Sequence, residues 1–304
     1  MADIALGGAG ARAVEPVRRG RWVPYALLAP GLLWLAVFFV APMLTLGSQS
    51  LQEGNVDDGY TFTGNVAIYS EAIQRYWPHL VRSIGYAATA TVLALALGYP
   101  LAYFMAQNAG RWKNILLVLV IAPFFTSFLI RTLAWRNILS DDGPVVAFAQ
   151  STGFTSLLQA VGLTGNDDLL ASKFAVICGL TYNFLPFMVL PLYASLERLD
   201  GRLLEAAGDL YASPAQVFRR VTWPLSLPGV VAGTLLTFIP AAGDFINSRL
   251  LGNTETVMIG QVIDSQFLRV LDYPLAAALS FILLTMIVVL VAAYVRRAGT
   301  EELV

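Results

Sequence analysis

Residues 199–228 read LDGRLLEAAGDLYASPAQVFRRVTWPLSLP, the longest conspicuously amphipathic stretch of the chain, set between two apolar runs long enough to cross a membrane. Leu203, Leu204, Ala207, Leu210 and Tyr211 recur at helical spacing, with Arg202, Glu205 and Asp209 on the other side. Ser213-Pro214-Ala215-Gln216 reads as a fresh helix start: Ser213 caps, Pro214 suits the first turn, and Gln216 stands where a capping box wants its amide. A residue before proline is disfavoured in the helical region, so Trp223-Pro224 is expected to close this second short helix. The segment is too polar to span and too apolar on one side to float free. A helix–turn–helix at a membrane surface, offering a face to something soluble, is the reading.

Working outward, composition places the chain in a bilayer: of 304 residues 57% are hydrophobic and 13% charged. The net charge of -1 gives no reason to expect a nucleic-acid partner. A hydrocarbon core about 30 Å thick needs about 20 helical residues. Six stretches qualify, at roughly 24–46, 83–106, 112–135, 174–195, 225–246 and 274–294. The first apolar run is too long for the core of a signal peptide, so an uncleaved first span is expected. The polar residues scattered through 143–166 predict one or two short helices in a loop rather than a span.

Lys and Arg set the orientation. With the N-terminus inside, the cytoplasmic segments hold Arg12, Arg18, Arg19 and Arg21, then Arg111 and Lys113, then Arg198, Arg202, Arg219 and Arg220, and finally Arg296 and Arg297. The outer loops collect acids instead, among them Glu53, Asp57, Asp58, Asp141, Asp142, Asp167, Asp168, Glu255, Asp264 and Asp272. Both termini are then cytoplasmic, and so is the 199–224 loop. The expected organisation is a tail at 1–21, one six-span domain at 22–295 and a tail at 296–304. The outer loops could pack together as a cap.

Glu205-Ala206-Ala207, followed by Val221-Thr222-Trp223-Pro224, resembles the cytoplasmic signature of permease subunits of ATP-binding-cassette importers. Tyr211 stands where that family usually has glycine, and Trp223 where it usually has leucine. Ala206 and Ala207 keep the helix slim enough to enter a groove, and Glu205 offers a charge to a basic partner. Further runs are similar to the polyamine (spermidine/putrescine) branch: Thr181-Tyr182-Asn183-Phe184-Leu185-Pro186, Arg131-Thr132-Leu133-Ala134-Trp135 and Gly243-Asp244-Phe245-Ile246-Asn247.

The resemblance implies an all-α integral membrane protein of the type I importer permease kind, in the bacterial plasma (inner) membrane. It implies a second permease subunit, two cytoplasmic ATP-binding subunits that use ATP and Mg, an extracytoplasmic substrate-binding protein and a lipid surround. Glu205, Ala206, Ala207, Asp209, Tyr211, Ser213 and Arg219 would couple to the ATPases.

Asp244 is a carboxylate at the end of an apolar run, and an intramembrane charge usually faces a cavity or a partner. Carboxylates and aromatic faces suit a chain of cationic amines, each cation–π contact giving about 0.5–2 kcal/mol. Asp244, Tyr182, Asn183, Trp135, Phe125 and Phe245, with Phe124, are the candidate solute path. An alternative is that Asp244 pairs with Arg131 or Arg136 at the outer rim, and that Arg131 snorkels there as an anchor.

Lys113 and Lys173 are the only lysines, and neither lies in a phosphate-binding loop sequence. No catalytic constellation or metal-ligand spacing stands out, and neither Cys178 nor His79 has a partner of its kind. Transport driven by another polypeptide is the expected activity. The same importer class with a different small solute is one alternative. A secondary transporter or channel is another, and would show midplane charges or inverted repeats.

Overall fold

The computed structural model describes residues 23–141, 143–164 and 169–298. The tail at 1–21, most of the tail at 296–304, and Asp142, Asp167 and Asp168 therefore lie outside the described residues. The chain divides into two compact units, 1–46 and 47–304. The first holds α1 (Val23–Leu35), a π turn at Ala36–Val40 and the start of α2 (Ala41–Gln49). Its leucines and aromatics, such as Leu27, Leu33, Trp34 and Phe39, are exposed, as befits a helix apolar on all sides.

The second unit is built on α3 (Ala67–Gln107), α8 (Lys173–Glu197), α11 (Trp223–Ala242) and α14 (Tyr273–Ala298). Small residues let these helices approach closely. Ala87, Ala90, Ala94, Gly98 and Ala102 form a buried stripe on α3. A Cβ at Gly98 would stand 3.1 Å from Val189 of α8. On α11, a Cβ at Gly229 would stand 2.5 Å from the Cβ of Ser195, and one at Gly233 2.8 Å from the sulfur of Met188.

Five described helices are long and apolar enough to cross a membrane. A sixth crossing exists if the bent pair at Gly110–Phe125 and Phe128–Ile138 counts as one. The expected third span is thus broken, its two parts meeting at 97°. Pro123 lies in a 3-10 turn that ends at Thr126 in extended conformation, and α5 (Phe128–Ile138) restarts from there. Its first part is α4 (Lys113–Ile121). The second span begins earlier than its apolar run. At 41 residues α3 is about 60 Å long, twice the hydrocarbon thickness, so one end projects beyond it.

The loop after α5 carries two short helices, α6 (Pro144–Ser151) and α7 (Phe154–Ala160), as its polar pattern predicts. A small antiparallel hairpin, β1 (Gln52–Asn55) and β2 (Gly59–Phe62), departs from an all-helical chain. The Asn55 side chain accepts the N–H groups of Asp57 and Asp58 and closes the turn. After α11 come α12 (Ile246–Leu251), α13 (Ile259–Ser265) and a π turn at Gln266–Val270. These loops pack on one another and on α3: Asn253 donates to Ala171 O at 2.7 Å, Tyr60 to Leu271 O, and Arg82 of α3 to Val257 O at 2.9 Å.

Candidate functional site

The 199–228 stretch joins the ends of α8 and α11 through α9 (Gly201–Asp209) and α10 (Pro214–Val217). Asp200 caps α9, its carboxylate accepting the Arg202 N–H at 3.0 Å. The far end of α9 closes with two bonds, Tyr211 N–H to Gly208 O at 2.8 Å and Ala212 N–H to Ala207 O at 3.2 Å. This is the Schellman pattern, which wants a left-handed residue at its pivot. Tyr211 supplies it with φ of +59°. The tyrosine thus adopts the backbone that glycine usually provides. Ser213 and Gln216 then form a reciprocal capping box, as the sequence predicts.

Trp223-Pro224 does not stop the helix, contrary to expectation. A π turn at Phe218–Thr222, closed by the Trp223 N–H on Phe218 O, runs α10 directly into α11. A widened turn relieves the clash of a proline ring with the preceding carbonyl, so Pro224 enters the first turn of α11. Trp223 has a structural partner: its ring lies 5.3 Å from that of Tyr99 on α3, which also meets Phe218 at 5.7 Å. The Tyr99 hydroxyl shares a 2.8 Å hydrogen bond with Ser226. The end of α8 is held similarly, with Gln107 donating to Leu196 O and Lys113 paired with Glu197.

These anchors leave α9 itself uncovered. Glu205, Ala206, Asp209, Ser213 and Arg219 are exposed, and Ala207 is half-buried. The apolar side expected of α9 is not buried by the chain: Leu210 is 82% and Tyr211 97% exposed, and only Leu204 and Ala207 are half-buried. A cavity of about 700 Å³, lined by Pro191, Arg198, Asp200, Leu203, Leu225 and Gly229 among others, lies between the ends of α8 and α11. A rigidly based turn that projects an uncovered mixed surface can receive force from another body and pass it to α8, α11 and α3.

The candidate path residues fall into two groups. Asn183, in the middle of α8, donates to Thr132 Oγ1 at 3.2 Å and to Asn247 Oδ1 at 3.1 Å. Asn247 N–H in turn donates to Asp244 Oδ1 at 2.8 Å, closing the turn that opens α12. All four residues are buried. Trp135 and Tyr182 form a separate edge-to-face pair at 5.5 Å.

Phe125, 89% exposed, lies out on the helix break, apart from both groups. Phe245 is partly exposed beside Asp244, while Phe124 packs edge-on against Phe187 at 5.0 Å. Asp244 forms no ion pair with Arg131 or Arg136 among the described residues. Nor does Arg131 snorkel; its guanidinium is buried, 5.6 Å over the Phe128 ring. Sequence reading passed over Asn247 and Thr132. The signal for Asn247 was its place three residues after Asp244, the spacing of a cap.

Residues 98–298 match the family described as binding-protein-dependent transport system inner membrane component. The spermidine/putrescine transport system permease protein PotB of Haemophilus influenzae is 35% identical over 276 residues, 90% of each chain. PotB of Escherichia coli K12 is 38% identical over 251 residues, 82% of this chain and 88% of that one. The inner membrane ABC transporter permease protein YdcU of Escherichia coli K12 is 31% identical over 287 residues, 91% and 90%. A solved bacterial ABC transporter involved in the import of the acidic polysaccharide alginate shares the fold, with a TM-score of 0.63 at 18% identity over 91% of this chain and 95% of that one. The match over most of the chain, the membrane-crossing helices and the uncovered turn between α8 and α11 agree: the chain belongs to the family of inner membrane components of binding-protein-dependent transport systems, as a multi-pass permease of the type I importer fold.

Proposed function

We propose that this chain is one of two permease subunits of an ATP-driven importer for spermidine, putrescine or a similar small cationic solute. The observation that supports it most is 35–38% identity to two PotB permeases over most of their length. In this reading α9 and its turn face the cytoplasm and lie in a groove of a partner ATPase. Glu205 meets a basic residue there, while the exposed Leu210 and Tyr211 fill apolar space. The two ATPase subunits bind ATP and Mg; this chain hydrolyses nothing and transmits the movement. An extracytoplasmic binding protein delivers solute to the face made by the hairpin, α12 and α13.

Asp244, with Asn183 beside it through Asn247, offers the solute a carboxylate and amide oxygens, and Tyr182, Trp135 and Phe245 offer aromatic faces to its ammonium groups. Coexpression with the second permease and the ATPase tests the assignment. The ATPase is expected to co-purify with the wild-type chain and to be lost with Glu205→Lys. Uptake driven by an ion gradient with no ATPase present would refute it. For the solute, the ligand held by the cognate binding protein decides, and tight binding of a sugar or an anion with no affinity for polyamines would exclude a polyamine importer.

A further inference from the structure

Among the described residues, four of the seven buried side-chain atoms without a hydrogen-bond partner belong to three residues: Arg131 Nε and Nη1, Asn183 Oδ1 and Asn247 Nδ2. Proteins leave few such atoms, and each asks for an explanation. Asn183 and Asn247 are hydrogen-bonded to each other, and Arg131 precedes Thr132, which accepts from Asn183. Arg131 lies on α5, just past the 97° bend. Asp244 lies in the break between α11 and α12, and Asn183 joins the two sides from α8 through Thr132 and Asn247. Arg131 and Asp244 are both more than nine-tenths buried, yet form no ion pair with each other. The Phe128 ring returns only part of what the guanidinium loses on leaving water. Interrupted helices are also where backbone can rotate with little loss of packing.

We propose that Arg131 and Asp244 form a state-dependent latch, pairing in the opposite conformation of the transport cycle to the one described, and that a solute ammonium competes with Arg131 for the carboxylate. In the present state the guanidinium is parked on Phe128 and Asp244 is held by Asn247. Rotation at the α5 bend and at the turn between α11 and α12 brings the charges together and satisfies the orphaned guanidinium nitrogens. A cationic solute replaces the arginine, whereas a neutral one of the same size cannot. This rests on the importer reading above and adds a specificity device to it.

The test uses the assembled complex in nanodiscs, with the second permease and both ATPases, and reads ATP hydrolysis without the binding protein. Arg131→Gln and Asp244→Asn should each raise that basal rate about tenfold, within the range of ordinary coupling between sites. Combining them should do no more than either alone. Arg131→Lys should stay near wild type, and the charge exchange Arg131→Asp with Asp244→Arg should return the rate towards it. Multiplying effects in the neutral double variant, or an exchanged pair as leaky as the single variants, would overturn the latch.

Should the variants not assemble, spin labels at Leu129→Cys and Gly243→Cys report on an unaltered Arg131–Asp244 pair. Their separation should change between the nucleotide-free and vanadate-trapped complexes, and an unchanged separation would overturn the latch. Failure of the polyamine assignment looks different: wild-type complex takes up no putrescine, yet the double-variant signature remains.

Discussion

Tyr211 shows how a residue can hold a conformation its side chain disfavours. Left-handed backbone costs a residue with a Cβ about 1–2 kcal/mol, and here two hydrogen bonds from Tyr211 and Ala212 impose it. Tyr211→Gly should therefore tighten the turn by about 1 kcal/mol, slowing amide exchange at Ala212 about fivefold. Tyr211→Val should speed it, because a branched Cβ resists the left-handed region. Mass-spectrometric hydrogen exchange over residues 205–214 reads both changes; equal exchange in all three proteins would show that the turn is set elsewhere. The Ser213–Gln216 box was legible in the sequence because capping is local. The backbone of Tyr211 was not, because its conformation is enforced by the end of α9 and not by its own preference. For the same reason Asp244 was legible as a candidate while its partners Asn247 and Thr132 were not: they come together only when α5, α8 and α12 meet.

At the scale of elements, the apolar runs marked where the chain crosses, but not how the crossings are made. The continuous run at 112–135 hid a break, signalled only by Pro123, because average hydrophobicity does not register a 97° turn. Trp223-Pro224 gave the opposite error, since a π turn absorbs what the local rule treats as a stop. The approach of α8 to α11 depends on glycines. Gly229→Ala would push a methyl to 2.5 Å from Ser195 Cβ and 2.8 Å from Pro191 O, the latter being backbone that cannot step aside. Overpacking of this kind costs about 1–3 kcal/mol, so the purified protein should unfold at a lower temperature in detergent. Gly208→Ala on α9 meets nothing within 4 Å and should leave that temperature unchanged or raise it slightly. If Gly229→Ala were as stable as wild type, α8 and α11 would have to be able to separate without loss, which would also weaken the case for α9 acting on them as a fixed lever.

The two ends of the second unit differ in kind. At one end, α8 and α11 are joined by α9 and α10, with Arg198, Arg202, Arg219 and Arg220 in or beside the turn, and Lys113, two residues after Arg111, paired with Glu197 at the end of α8. At the other end the hairpin carries Glu53, Asp57 and Asp58, α13 carries Asp264, and the loops before α13 and α14 carry Glu255 and Asp272, with Tyr60 bonded to Leu271 O across the loops. Basic residues are retained on the cytoplasmic side during insertion, so this asymmetry predicts α9 inside and the hairpin outside. Single cysteines in a Cys178→Ala background test it. Tyr211→Cys, 97% exposed at the tip of its turn, should react with a membrane-impermeant maleimide only in inside-out vesicles. Asp57→Cys, exposed in the hairpin turn, should react only in right-side-out ones. The reverse pattern would invert the molecule, leave the α9 turn out of reach of any cytoplasmic ATPase, and remove the mechanical basis for ATP-driven import through this chain.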